Sequence, residues 1–416
     1  MSSHKRIFKN ALFLYGLTFS NYLIGLLMFP YLSRVLSVKQ FGVVGFATSF
    51  CLIFQMIVEY GFQISTTATV SLHREDLPML SRVISTMTYA KIALLVITTI
   101  AFALCSLQMV SVRSHIGFIL LFFIDSVIKA FFPDAYFRGV ERMKDITIRT
   151  VAAKSGILVM TILFVKNDGT AYIYPLSMIV FDTIALVWAF ILLKKDGLAP
   201  TGTTGIELLT ALKDSFWFFI SRVSVSINGS LGSIFLGQQY TPNSVEMGLY
   251  SASTRLSTAG EQMIPPVGDA LYPSMMKHKD YRFFYRVVVI GGTVWFIVCG
   301  LVTVFAPLLC EIVLGWQYVE AGKYLRILMI GVFFGYFSFI FGYPALSPIG
   351  KATYANVAIM ISSVTNLCLC GLLWVSNNIT VLHICLVFAS SNIVVFIVRF
   401  VFFMFFKHQI KLDKNF

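Results

Sequence analysis

Apolar stretches of roughly 20 residues recur from one end of the chain to the other, each long enough to cross a hydrocarbon layer about 30 Å thick. No other feature restricts the fold as much. A backbone in lipid must satisfy its own N–H and C=O groups, which leaves helices or closed barrels, and stretches of this length read as helices. Divided at its polar breaks, the sequence gives about twelve spans, at 11–35, 42–66, 82–106, 115–137, 147–166, 171–193, 214–239, 246–275, 284–314, 323–346, 353–375 and 380–406. Only 12% of the residues are charged, against about 25% in soluble domains. The chain therefore reads as an all-α integral membrane protein.

The net charge of +13 does not point to nucleic acid, because the basic residues are dispersed over short loops. They are also asymmetric. Lys277, Lys279, Arg282 and Arg286 fall on one side of the predicted membrane, while the other side holds few, such as Lys323 and Arg326. The positive-inside rule then places both termini in the cytoplasm. "SSHKRIFKN" leads into the first span without a small-residue cleavage site, so that span is expected to stay as an anchor. The seven cysteines lie in or beside apolar stretches without CxxC spacing and read as small buried hydrophobes. His383 is the one histidine expected well inside a span. No catalytic motif is found, and no metal site or cofactor is expected.

The clearest internal boundary is "KKDGLAPTGTTGIE" (Lys194 to Glu207), near the chain midpoint. It divides the sequence into an N-lobe at 1–195, a cytoplasmic linker at 196–207 and a C-lobe at 208–416. Faint self-similarity supports the division. "FGVVGFATS" around Gly42 resembles "MGLYSASTR" around Gly248, and "SRVIS" resembles "YRVVV". Six-helix halves repeated in the same orientation predict two pseudo-symmetric lobes around a central cavity.

Charges at membrane depth point to a site. Lys91, Lys129, Lys154, Arg222 and Arg255 fall within spans, as do Asp125, Asp182, Glu59, Glu261 and Asp269. Each costs about 2.5–3.5 kcal/mol at mid-helix, so they must pair or face water. Asp125 and Lys129 stand four residues apart on one helical face, which suits either a buried pair locking helices together or a pair facing a cavity. Asp134 and Arg138 follow Pro133 and read as a solvated helix end. Arg222, in "FFISRVSVSINGS", has no acid one turn away, and Arg255, in "YSASTRLSTAGEQ", has its nearest acid on another face. Such cations suit an anion such as phosphate, with structural pairs between lobes as the alternative. Prolines inside spans, among them Pro133, Pro265, Pro266, Pro344 and Pro348, suggest bent helices lining a cavity.

"NYLIGLLMFPYLSRVLSVKQFG" (Asn21 to Gly42), "EYGF" (Glu59 to Phe62) and "YFRGVERMK" (Tyr136 to Lys144) resemble O-antigen flippases of the Wzx type, in the MATE-like (MOP) superfamily. "GLYSASTRL" and "ALYPSM" extend the resemblance into the second half. Tyr136 and Arg138 stand where members usually carry Trp and Gln. The resemblance implies a flippase of the bacterial inner membrane that moves undecaprenyl-diphosphate-linked oligosaccharide by alternating access. It also implies surrounding membrane lipids, a polysaccharide polymerase and a chain-length regulator as partners, and a coupling ion, H⁺ or Na⁺. On this reading Arg255, Arg222, Lys129, Lys154, Lys91 and Arg34 hold the diphosphate, and Asp125, Asp182, Glu59, Glu261 or Asp269 takes the ion. A cation-coupled drug antiporter on the same architecture should instead favour an acidic cavity. A membrane-embedded polysaccharide polymerase should carry a long polar outer loop, and a scaffold subunit of the assembly complex should not transport.

Overall fold

The computed structural model describes residues 24–407, together with Gly16 and Ser20. Every element among the described residues is helical. Ten helical segments there are long and apolar enough to cross a membrane, and Ile24–Val35 is a shorter apolar helix. Part of the predicted first span lies outside the described residues. Two compact units result: Met1–Ser37 (as far as described) with Ala47–Ser226, and Val38–Phe46 with Ile227–Phe416.

The first unit is built from α1 (Ile24–Val35), most of α2 (Val38–Glu59), α3 (Phe62–Leu72), α4 (Leu77–Gln108), α5 (Val110–Arg113), α6 (Ile116–Ala130), α7 (Asp134–Gly139), α8 (Met143–Phe164), α9 (Ile173–Lys195) and the first part of α10 (Gly205–Tyr240). Two breaks give this unit its shape. The predicted second span is α2 and α3, separated where Tyr60 (φ 45°) and Gly61 (φ 75°) turn left-handed. Only glycine fits at position 61, since a Cβ there would lie 2.7 Å from the Phe219 nitrogen. The predicted fourth span is α6 and α7, separated at Pro133, which lacks an N–H and cannot continue α6. Tyr136 on α7 is buried and donates to Asp196 at 3.1 Å.

Residues 199–203, in the stretch before α10, run along α4 as an ordered strap. The Ala199 and Thr201 amides donate to the Ser81 and Ser85 hydroxyls at 3.3 and 3.0 Å, and Thr203 meets Thr86 at 3.0 Å. Glu207 accepts the Thr204 amide at 2.9 Å and pairs with Arg82, so the strap ends in a helix cap.

The second unit contains α11 (Val245–Glu261), α12 (Pro265–His278), α13 (Tyr281–Val304), α14 (Ala306–Leu314), α15 (Ala321–Ile340), α16 (Tyr343–Leu346), α17 (Ala352–Val375) and α18 (Val381–Phe406). The predicted eighth span, 246–275, is thus two helices of 17 and 14 residues, because Pro265 and Pro266 open α12 rather than extend α11. The ninth, 284–314, likewise breaks at Phe305, ahead of Pro307. Helix α15 is the hub, packed on α11, α13, α14 and α18. Small residues let backbones approach: a Cβ on Gly331 would lie 2.9 Å from the Ala389 Cα. The two self-similar segments meet inside this unit, where a Cβ on Gly42 would lie 2.8 Å from the Gly248 nitrogen.

Arg399 of α18 is buried with no carboxylate partner among the described residues. Its guanidinium donates to the Ser338 carbonyl at 2.6 Å and to the Ala355 carbonyl at 2.9 and 3.3 Å. Ser338 lies in the last turn of α15, whose carbonyls have no intrahelical partner. His383 sits in the first turn of α18 rather than well inside it, its Nδ1 2.6 Å from the Asn378 carbonyl. Five cysteines are buried as expected, but Cys105 is half-buried and Cys368 is exposed.

Candidate functional site

The breaks at Gly61 and Pro133 open a cavity of about 270 Å³ within the first unit, between α2, α3, α4, α6, α7, α8 and α9. Four cations line it, Lys91, Lys129, Arg149 and Lys154, with three acids, Glu59, Asp134 and Asp182. Gln55, Gln63, Thr150 and Phe132 add neutral polar and aromatic surface.

Each charge is explained by the element that carries it. Lys129 donates to Asp125, one turn earlier on α6, at 2.6 Å, and lies 3.5 Å from Asp182 on α9. The second contact is Coulombic only: that Asp182 oxygen has no hydrogen-bond partner. Because α6 stops at Ala130, the Phe132 carbonyl has no successor in the helix, and Lys91, from α4, donates to it at 3.5 Å. Asp134, just past the break, pairs with Arg149 of α8, whose guanidinium also lies 4.4 Å from the centre of the Phe132 ring. Glu59, at the end of α2, accepts from Gln55 at 2.8 Å and lies 3.8 Å from Arg222. Lys154 differs from the rest. Among the described residues it has neither a hydrogen bond nor an ion pair.

Of the predicted cations, the structure brings Lys91, Lys129 and Lys154 to one cavity, with Arg222 at its Glu59 edge. Arg34 is exposed at the end of α1, and Arg255 is half-buried on α11 in the second unit. Of the predicted acids, Asp182 and Glu59 line the cavity and Asp125 lies behind Lys129. Glu261 ends α11 and accepts from Asn392 at 2.8 Å, while Asp269 is exposed on α12. Two charged cavity residues were not among the site residues expected from the sequence. Asp134, expected at a solvated helix end, is a cavity wall, and Arg149 is buried at 2% exposure. The signal was there: Pro133 ends α6 early, which draws the next acid inward.

A model of the family described as polysaccharide biosynthesis protein matches residues 7–279. Two curated bacterial proteins, both described as "Putative O-antigen transporter", are similar to the chain. The one from Escherichia coli (strain K12) is 28% identical over 266 residues, covering 64% of each chain. The one from Shigella dysenteriae is 26% identical over 336 residues, covering 77% of this chain and 81% of the relative. The match to the K12 protein thus spans just under two thirds of its length. Among solved structures, the lipid II flippase MurJ in an inward closed conformation superposes with a TM-score of 0.72 at 14% identity, over 94% of this chain and 86% of that one. An inward-facing multidrug resistance MATE family transporter of the MOP superfamily gives 0.62 at 15% identity, over 96% of each. At such identities these two structures speak for the fold alone. The family match covers well over half of the residues, and the chain is a member of the polysaccharide biosynthesis protein family, folded as an all-α MOP-type membrane protein.

Proposed function

We propose that the chain is a lipid-linked oligosaccharide flippase, a transporter rather than an enzyme. It moves undecaprenyl-diphosphate-linked repeat units across the inner membrane of a bacterium by alternating access, with both termini cytoplasmic. The observation that carries this reading is Lys154, a cation at membrane depth that faces a cavity and makes no hydrogen bond or ion pair among the described residues. An ammonium held there only by the more distant charge of Asp182 is costly unless an anion joins it. A diphosphate supplies that anion, and Gln63, Thr150 and the Phe132 ring offer hydrogen bonds and a stacking face to a sugar beside it. Family membership and the two relatives named as O-antigen transporters support the substrate class. A coupling ion, H⁺ or Na⁺, and contact with a polymerase and a chain-length regulator complete the proposal.

A cation-drug antiporter is less well served by this cavity. Each of its three acids already faces a cation, Glu59 with Arg222, Asp134 with Arg149 and Asp182 with Lys129.

The test is complementation. In a strain lacking its own O-antigen flippase, the chain should restore surface polymer, and Lys154→Glu should abolish it at equal membrane abundance. Full display by Lys154→Glu would remove the diphosphate from this cavity.

A further inference from the structure

Two carboxylates share one ammonium beside the cavity. Asp125 and Asp182 are 2% and 6% exposed, and Lys129 serves both, at 2.6 and 3.5 Å. One oxygen on each acid, Asp125 Oδ1 and Asp182 Oδ2, is buried without a hydrogen-bond donor. A buried acceptor without a donor is costly, so two on adjacent acids mark a missing hydrogen. The charged and titratable groups facing the trio from the packed helices are Cys51 on α2, Lys154 on α8 and Tyr174 on α9. Lys154 alone among them carries a positive charge that offsets the second carboxylate.

We propose that Asp125 and Asp182 take up one shared proton when the cavity binds its anion, and that this proton frees Lys129 to join Lys154 on the anion. This rests on the reading of the cavity as a diphosphate site. Before the anion arrives the charges balance: Asp125 and Asp182 are offset by Lys129 and Lys154. An arriving diphosphate engages Lys154 and adds negative charge beside the two acids. A proton from solution then bridges them, as happens when two carboxylates at close range cannot both stay ionised. The bridged pair holds one negative charge fewer and grips Lys129 less, and the ammonium can swing into the cavity it already lines. Proton and anion thus bind with positive coupling, and the coupling is reciprocal. The residue that reads the proton is the residue that holds the substrate.

Isothermal titration of the full-length protein in lipid nanodiscs with farnesyl diphosphate tests this, in two buffers of different ionisation enthalpy. The wild type should take up about one proton per diphosphate bound, and its affinity should rise about tenfold per unit fall in pH where the pair titrates. Asp182→Asn and Asp125→Asn should each bind with no proton uptake and with an affinity independent of pH. Binding with equal heats in both buffers overturns the shared proton, and the wild type alone decides this even if neither variant folds. Proton uptake that persists in both variants also overturns it. Failure of the wild type to bind the diphosphate at any pH is a different result and removes the diphosphate reading itself.

Discussion

Buried charges in this chain differ in what they do, and the difference shows in what replaces them. Arg149 is paired with Asp134 and laid over Phe132, so its removal strands a buried carboxylate. Arg149→Met should cost about 3–5 kcal/mol, read as a fall in folded yield and in melting temperature in detergent. Arg149→Lys should recover little of it, because an ammonium lacks the planar fork that both pairs and stacks. Lys91 is also buried, but its one hydrogen bond among the described residues is to the Phe132 carbonyl, at 3.5 Å, and Glu59 and Asp134 reach it only through their charge. Lys91→Met should fold as well as the wild type or better, since an apolar side chain of similar size avoids the desolvation. A melting temperature for Lys91→Met as low as that of Arg149→Met would refute this distinction. Sequence reasoning found Lys91, Lys129 and Lys154 because a charge at membrane depth is legible from position alone. It could not find the Arg222–Glu59 contact, which joins residues far apart in the chain. It passed over Arg149 because a cation near a span end is usually solvated.

At the scale of elements, apolar length identified the helices, while their breaks depended on single residues. Proline marks four breaks, at 133, 265, 307 and 344. The fifth, at Tyr60 and Gly61, has no proline, and its left-handed backbone could not be read from "EYGF". Gly61→Ala should therefore be among the more damaging alanine substitutions. It carries about 1–2 kcal/mol of backbone strain plus a clash with α10, and thermal unfolding of the purified variant would measure both. The strap along α4 has a geometric logic of its own. Ser81 and Ser85 are separated by about 6 Å of helix, and Ala199 and Thr201 by about 6.6 Å of extended chain. The two repeats match closely enough for each amide to find a hydroxyl. Replacing both serines by alanine should speed hydrogen exchange at the 199 and 201 amides, while α4 itself stays protected. Unchanged exchange would mean the strap is held by Glu207 and Arg82 instead. The sequence signalled a linker here, because Gly, Pro and Thr exclude a helix, but not that the linker is pinned.

For the whole molecule, the membrane class and helical fold followed from apolar length, and the family from short segments concentrated in the first half of the chain. The cavity is where the two readings join: most of its charges were named from sequence, and their order around it came only with the breaks that bend the chain. Arg399 carries a consequence for how such a chain is made. Its guanidinium rests on carbonyls of α15 and α17, which are both synthesised before it. Emerging alone into lipid, α18 would carry an arginine worth up to about 3.5 kcal/mol against insertion. Emerging after its two predecessors, it finds acceptors already waiting. Glycosylation mapping of truncated chains should therefore show α18 entering the bilayer more completely when α15 to α17 precede it than when fused behind an unrelated helix. Arg399→Leu should erase that dependence, making biogenesis, rather than transport, the stage at which this arginine matters.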